Sequence, residues 1–381
     1  MTFSKVGIIG AGQLGRMLAL AGYPLGLSCL FLDRSDDAPG AQVAPILVGD
    51  LEDPGKLLEL AERSDVVTFD WENISGAALA PLENATHIRP PRKALEISQD
   101  RLLEKALFRS LKIPVAAHAA VDSKEDLVRA VHRLGSHGVL KTRRMGYDGK
   151  GQYLLRHAED IDAAWAHIGA SGLIYEQFQR FSREVSIIGA RSAAGEIVYY
   201  PLSSNTHSGG ILRYSVAPFI NRTLEQTARR CLKKLMEGLG YVGVLTIEFF
   251  VVKGRLIANE MAPRVHNSGH WTIEGAVTSQ FENHLRAVLG LPLGATSPTG
   301  HSAMLNLIGE IPESPEILIV PDAHLHLYGK TPRPGRKLGH VTLRAASPER
   351  LALRVSELPS FFHRPEYCLN AALGHSASHR A

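Results

Sequence analysis

From Lys5 to about residue 95 the chain alternates short apolar runs with helical patterns, and that alternation leaves few folds open to it. The runs 6–9, 28–32, 46–48 and 65–69 read as strands, and 14–22 and 54–62 carry apolar residues at helical spacing between them. Strands joined by helical crossovers pair in parallel, so this segment is an α/β unit, and Pro90-Pro91 marks its edge. Gly10-Ala11-Gly12-Gln13-Leu14-Gly15 follows the first strand and opens the first helix, with Asp33 about twenty residues on, as in a dinucleotide-binding fingerprint. The same glycines also suit a tight turn with close helix–strand packing, and nothing downstream looks like a hydride-transfer site. An NAD-dependent oxidoreductase therefore stands as a rival reading only.

Beyond this unit the pattern changes. A helix is expected over 100–111, capped by Asp100 and apolar on one face. Val139-Leu140-Lys141-Thr142 forms a strand leading into the glycine-rich Gly146-Tyr147-Asp148-Gly149-Lys150-Gly151-Gln152. An antiparallel pair is expected at 185–189 and 197–201, a long helix at 225–239 and another at 281–289. After Gly290-Leu291-Pro292-Leu293-Gly294 the chain turns β-rich (304–308, 324–327, 341–343), and 375–381 reads as a frayed tail. The expected divisions are 1–98, 99–298, 299–370 and a disordered tail 371–381. A chain of 381 residues is long enough for two or three domains.

Composition narrows the function. A formal charge of +4 over this length is too small to argue for nucleic acid, though it suits a small anionic substrate. No run approaches the ~18 apolar residues of a membrane span, and the strand-like start offers no signal-peptide pattern. The three cysteines, Cys29, Cys231 and Cys368, form no metal or redox motif. A cytoplasmic protein is expected.

The chemistry concentrates near residue 260. Val244-Leu245-Thr246-Ile247-Glu248-Phe249-Phe250 and Leu256-Ile257-Ala258 read as hairpin strands around Lys253-Gly254, which sets Glu248 and Glu260 at or near neighbouring strand ends. Arg264, His266 and Asn267 then leave in a polar loop. Two carboxylates able to share a hard cation, beside a cation and amide donors, suit a Mg-nucleotide site. A solvated hairpin is the plainer alternative, against which stands the cost of acids in apolar strands. Lys141 can neutralise phosphates while amides of the glycine loop donate to phosphate oxygens; the loop is no Walker A, and a plain hairpin remains open for it. Glu176 and Gln177 end a short strand and Glu184 opens the next, placed either to hold ribose hydroxyls or simply to face solvent. His207 on its own reads as a surface loop histidine.

Taken together these pieces resemble the ATP-grasp family and, within it, the N5-carboxyaminoimidazole ribonucleotide synthases, the ATP-dependent, bicarbonate-using enzymes of purine biosynthesis. The similarity rests on 10–18, 68–73, 141–152, 205–217 and 259–272, and on Arg333-Pro334-Gly335-Arg336-Lys337-Leu338-Gly339-His340, and runs to about residue 365. The run 259–272 is highly specific and the glycine fingerprint hardly is. The resemblance implies an α/β (α+β overall) ATP-grasp fold with an N-terminal Rossmann-like pre-ATP-grasp domain that holds no NAD, and a small β-rich C-terminal domain. It implies carboxylation of 5-aminoimidazole ribonucleotide (AIR) through carboxyphosphate, releasing ADP and phosphate. It also implies a homodimer that uses ATP with one or two Mg²⁺ ions, or Mn²⁺ in their place.

Roles follow for matched positions. Arg101 and Lys141 would contact ATP phosphates, with Gly146, Tyr147, Asp148, Gly149, Lys150, Gly151 and Gln152 closing over them. Glu176, Gln177, Glu184 and His207 would line the nucleotide pocket. Glu248 and Glu260, with Asn259 nearby, would hold Mg²⁺. Tyr147, Asp148, Arg264, His266 and Asn267 would face bicarbonate and the aminoimidazole, with Lys141, Asp148 and Arg264 closest to the chemistry. Lys330, Arg336 and Lys337 would grip the substrate phosphate. Gly209 and Asp70 depart from the usual residues. A formate-activating ATP-grasp ligase and a non-catalytic nucleotide sensor are rivals to this reading.

Overall fold

The computed structural model describes residues 4–146, 151–169 and 172–367. Tyr147, Asp148, Gly149, Lys150 and the expected tail lie outside the described residues. The N-terminal unit is a five-stranded parallel sheet in the order Ile46–Val48, Ser28–Asp33, Lys5–Ile9, Val66–Phe69, His87–Ile88. Helices Gln13–Gly22 and Pro54–Glu62 bury Leu14, Leu18, Leu57 and Leu60 against it.

At the glycine fingerprint the helix N-terminus is already occupied. The Gly15 amide donates to Asp70 Oδ2 at 2.9 Å, and the Ala11 amide donates to Asp33 Oδ2 at 2.7 Å. Gly10 has φ +93°, open to glycine at little cost. A carboxylate thus sits where a dinucleotide would place its pyrophosphate, and the glycines serve close packing. A Cβ on Gly15 would lie 2.8 Å from the Gly10 carbonyl oxygen and 3.0 Å from the Phe31 ring.

A four-stranded antiparallel sheet follows, in the order His118–Val121, Leu173–Gln177, Gly138–Thr142, Gln152–Leu155, backed by helices Lys124–Leu134 and Ile161–Ile168. The remaining strands form a single sheet. Its order is Arg255–Ala262, Gly243–Val252, Arg183–Arg191, Ser203–Ser208, Ile211–Ala217, His301–Ile308, Lys337–Ala345, Ala323–Leu327, with Ile197–Tyr199 paired to Arg183–Arg191. The β-rich C-terminal stretch therefore continues the main sheet through the antiparallel pairing of Ile211–Ala217 with His301–Ile308.

The long helix is Arg222–Leu239, begun by Asn221, whose side chain accepts from the Leu224 amide. Its apolar face, with Leu232, Leu235 and Met236, packs in one core with Ile187, Leu245 and Ile247 of the sheet. The hairpin at 253–254 has positive φ at both turn residues (48° and 72°), as a two-residue turn between twisted strands requires. No helix among the described residues is long and apolar enough to cross a membrane. Gly15→Ala is expected to cost ~2 kcal/mol by overpacking against backbone, read as a lower urea midpoint at unchanged slope; an unchanged midpoint would show that the turn can relax.

Candidate active site

Helix Arg101–Ser110 is the first surprise of the site. Asp100 caps it as expected, accepting from the Leu102 amide at 3.0 Å. Its apolar face is buried through Phe108 and Leu107, as expected, but two charged residues are buried with it: Glu104 and Lys105 are 2% and 0% exposed. The reason is the neighbouring strand Arg255–Ala262, which ends the large sheet and has backbone groups to satisfy. Lys105 Nζ donates to the Asn259 carbonyl at 2.7 Å, and the Met261 amide donates to Glu104 Oε1 at 2.6 Å. These two side chains satisfy edge groups at 259 and 261, beside the backbone bridge of Val115 to Ala258.

From there a chain of alternating charges runs into the cleft. Lys105 and Lys141 each lie 3.3 Å from a different oxygen of Glu176, and Arg101 Nη1 lies 3.4 Å from Glu260 Oε2. Burial alone would push Glu176 up, but Lys141, Lys105 and Arg101 hold it down at about 2. Burial also lowers Lys141, against the pull of Glu176.

The acid pair is placed differently from the sequence expectation. Glu248 and Glu260 stand directly opposite one another within the hairpin ladder; Glu260 is near its strand end as expected, but Glu248 is in mid-strand with a register shift just after it. His207 lies in strand Ser203–Ser208, not in a surface loop, and is bonded through Nδ1 to Glu184. Burial would lower this imidazole, but the Glu184 bond and the charges of Glu248 and Glu260 carry it to about 9. Burial, then the nearness of Glu260 and Glu184, pushes Glu248 up. The Asn259 side-chain oxygen is buried without a hydrogen-bond partner among the described residues.

Crowded carboxylates and an orphaned amide oxygen form a hard-oxygen donor set suited to Mg²⁺. Among the described residues no group of three or more His, Cys, Asp or Glu could hold a metal ion alone.

Arg264 is held rather than free. Its Nε and Nη2 both donate to the Glu72 carboxylate, the latter at 2.6 Å, and Nη1 donates to the Val265 carbonyl at 3.1 Å. These bonds leave one N–H on each terminal nitrogen, an end-on fork matched to a small oxyanion. His266 Nδ1 is 2.8 Å from Ser268 Oγ, and its Nε2 is 3.6 Å from Glu248 Oε1. Burial first, then the Arg264 charge, lowers this imidazole well below its usual value and keeps it neutral. Asn267 exchanges amide bonds with Asn306 at 3.0 and 2.8 Å.

Arg101, Lys141, Gly146, Gln152, Glu184, His207, Glu248, Asn259, Glu260, Arg264, His266, Asn267 and Lys337 all line one cleft of about 510 Å³, with Gln13 and Glu72 from the N-terminal unit. Glu176 acts from beneath through Lys141. The Gln177 side chain instead donates to the Leu134 carbonyl, and Gly151 packs its backbone against Thr142. Lys330 and Arg336 stand outside the lining; Lys330 donates to Gln13 Oε1, and Arg336 to the Thr331 carbonyl at 3.1 Å. Sequence reasoning missed Glu72, Glu104, Lys105 and Asn306. Only Asn306 carried a signal, as a lone amide inside an apolar strand.

The parallel unit, the two antiparallel sheets and the cation-and-carboxylate cleft between them define an ATP-grasp protein, and residues 106–281 match the ATP-grasp domain family. Residues 3–99 match the ribonucleotide synthetase preATP-grasp domain, and 302–354 the phosphoribosylaminoimidazole carboxylase C-terminal domain. The chain is 48% identical to the N5-carboxyaminoimidazole ribonucleotide synthase of Pseudomonas aeruginosa over 93% of its length and 98% of the relative. The N5-carboxyaminoimidazole ribonucleotide synthetase structure from Thermus thermophilus is similar, with TM-score 0.89 and 52% identity over 92% of this chain and 97% of that one. The Aspergillus clavatus N5-carboxyaminoimidazole synthase, solved with ADP and AIR, has TM-score 0.87 and 29% identity over 93% and 96%. The chain belongs to the N5-carboxyaminoimidazole ribonucleotide synthase family.

Glu104 offers a pH test of the buried network. Burial, then Glu260, holds its carboxyl up at about 8 against Lys105 and the Met261 amide. Unfolded, it releases its proton at about 4.3. The folded state therefore binds the extra proton between these values, and stability falls as pH rises through that window. Glu104→Gln keeps the acceptor oxygen and is expected to lose less stability than wild type between about pH 5 and 8; parallel denaturation curves at both pH values would place a charged Glu104 in the fold.

Proposed function

We propose that this protein catalyses ATP-dependent carboxylation of AIR by bicarbonate, giving the N5-carboxyamino ribonucleotide, ADP and phosphate. The observation that carries this reading is the oxyanion fork of Arg264, locked by Glu72 in the same cleft as Lys141, Arg101 and the acid pair. In this mechanism a bicarbonate oxygen attacks the γ-phosphorus of ATP, the bond to the β,γ-bridging oxygen breaks, and ADP leaves carboxyphosphate behind. Such transfers need positioning and charge neutralisation more than covalent help.

Lys141 and Arg101 would supply that charge at the phosphates, and His207 would add a donor. Glu248 and Glu260, with the Asn259 oxygen, would hold Mg²⁺, which when bound neutralises charge developing on the transferred phosphoryl group. Arg264 would hold bicarbonate end-on, since Glu72 prevents the guanidinium from turning toward the acid pair. Neutral His266 and Asn267, the latter braced by Asn306, would shape the bicarbonate and imidazole end. The exocyclic amine of AIR then captures the carboxyl carbon as phosphate leaves and takes the amine proton; Asp148 would orient that amine or the imidazole, and Tyr147 would face bicarbonate and the aminoimidazole. Lys337, Lys330 and Arg336 would grip the ribonucleotide phosphate and add remote binding energy. The homodimer and cytoplasmic setting belong to the same proposal.

The direct experiment measures ADP release with and without AIR at controlled bicarbonate. Strict AIR dependence with saturable bicarbonate is expected, and ADP release that ignores AIR would overturn the reading. Glu72→Gln is expected to lower kcat/KM for bicarbonate at least tenfold, of the order seen when one partner of a buried charge pair is lost, with KM for ATP unchanged. A loss confined to ATP would remove Arg264 from the bicarbonate site.

A further inference from the structure

Behind Lys330 lies a buried column of side chains that the mechanism above does not use. Tyr328 is 1% exposed, and its hydroxyl is 2.7 Å from His340 Nδ1. His340, fully buried, lies parallel to the ring of His326 with centroids 4.3 Å apart and 5° between planes. His326 Nε2 is in turn 2.6 Å from Glu274 Oε1. In front, the Lys330 ammonium stands 5.9 Å from the centre of the Tyr328 ring and donates to Gln13 Oε1.

We propose that Tyr328 and His340 are positioning residues for the phosphate-gripping end of the cleft, fixing from behind the place of the Lys330 ammonium. This rests on the reading of Lys330 given above.

Burial pushes the Tyr328 phenol up and His340 well below its usual value, so the hydroxyl is protonated and the imidazole neutral. The two share one hydrogen bond between neutral groups, and the tautomer of His340 sets its donor. This bond is not needed to join the strands, because His340 already faces His326 and Asn306 across the ladder and the Tyr328 amide donates to the Leu338 carbonyl at 2.9 Å. What it adds is the angle of the tyrosine ring. That face and the Gln13 oxygen, together with the attraction of Asp70, hold a cation that burial and the nearby Arg336, Lys337 and Arg333 charges disfavour. The glycine fingerprint thereby acquires a use: its turn delivers Gln13 to the lysine.

The test is steady-state kinetics in AIR and ATP on full-length variants. Tyr328→Phe keeps the ring and removes the hydroxyl. It is expected to raise KM for AIR about fivefold, the fold-change of one lost hydrogen bond, leaving kcat and KM for ATP within about twofold. His340→Leu is expected to do the same, and His340→Asn, which restores a hydrogen-bond partner near Nδ1, to recover most of the loss. With Lys330→Ala as background, Tyr328→Phe is expected to add nothing further. A purely structural role would instead multiply the two losses or move kcat and the melting temperature with KM, and either result would overturn the proposal. Tyr328→Phe at wild-type KM beside an impaired Lys330→Ala would overturn it alone. Lys330→Ala at wild-type KM would overturn the reading of the lysine and this proposal with it.

Discussion

The cleft depends on charges taken out of water in strict alternation. Lys105, Glu176 and Lys141 form one buried run, Arg101 pairs with the partly exposed Glu260, and together they tie helix Arg101–Ser110 to both antiparallel sheets. Ions buried in this way are costly, and attraction compensates only while every member has its partner. The arrangement is therefore all-or-none. Lys141, Lys105 and Arg101 keep Glu176 ionised against its burial, and Glu176 in turn favours the charged form of Lys141. Docking the helix and charging the nucleotide end of the cleft are one event.

The N-terminal unit contributes in a different way. Its sheet is apolar and its glycine turn is filled by Asp70, so it brings no cofactor pocket of its own. What it brings are two side chains that discipline cations belonging to other parts of the chain: Glu72 on Arg264 and Gln13 on Lys330. A carboxylate is used where the cation must not turn, and a neutral amide where the charge must stay available to a ligand.

Much of this is legible in the sequence wherever one physical rule decides the outcome. The parallel unit follows from apolar alternation, the hairpin from Lys253-Gly254, and the helix at 100–111 from its Asp100 cap. The acid pair stands out because carboxylates in apolar strands need a reason. The misses share a cause. Glu104 and Lys105 look like ordinary helix surface residues, and only the backbone groups of Asn259 and Met261 on the sheet edge make burying them favourable. His207 reads as a loop residue because Ser208-Gly209-Gly210 suggests a turn, whereas the turn begins only after the histidine has joined the ladder. Glu72 is invisible in the sequence because its partner lies 192 residues away.

The pairing of Ile211–Ala217 with His301–Ile308 carries one more consequence. Glu248 and Glu260 at one end, and Lys337 at the other, belong to the same hydrogen-bonded sheet. Both nevertheless line one cleft, and the charge of Lys337 is felt at Glu248. A single sheet thus carries residues from distant strands to one meeting point, with its hydrogen-bonded ladder continuous between them.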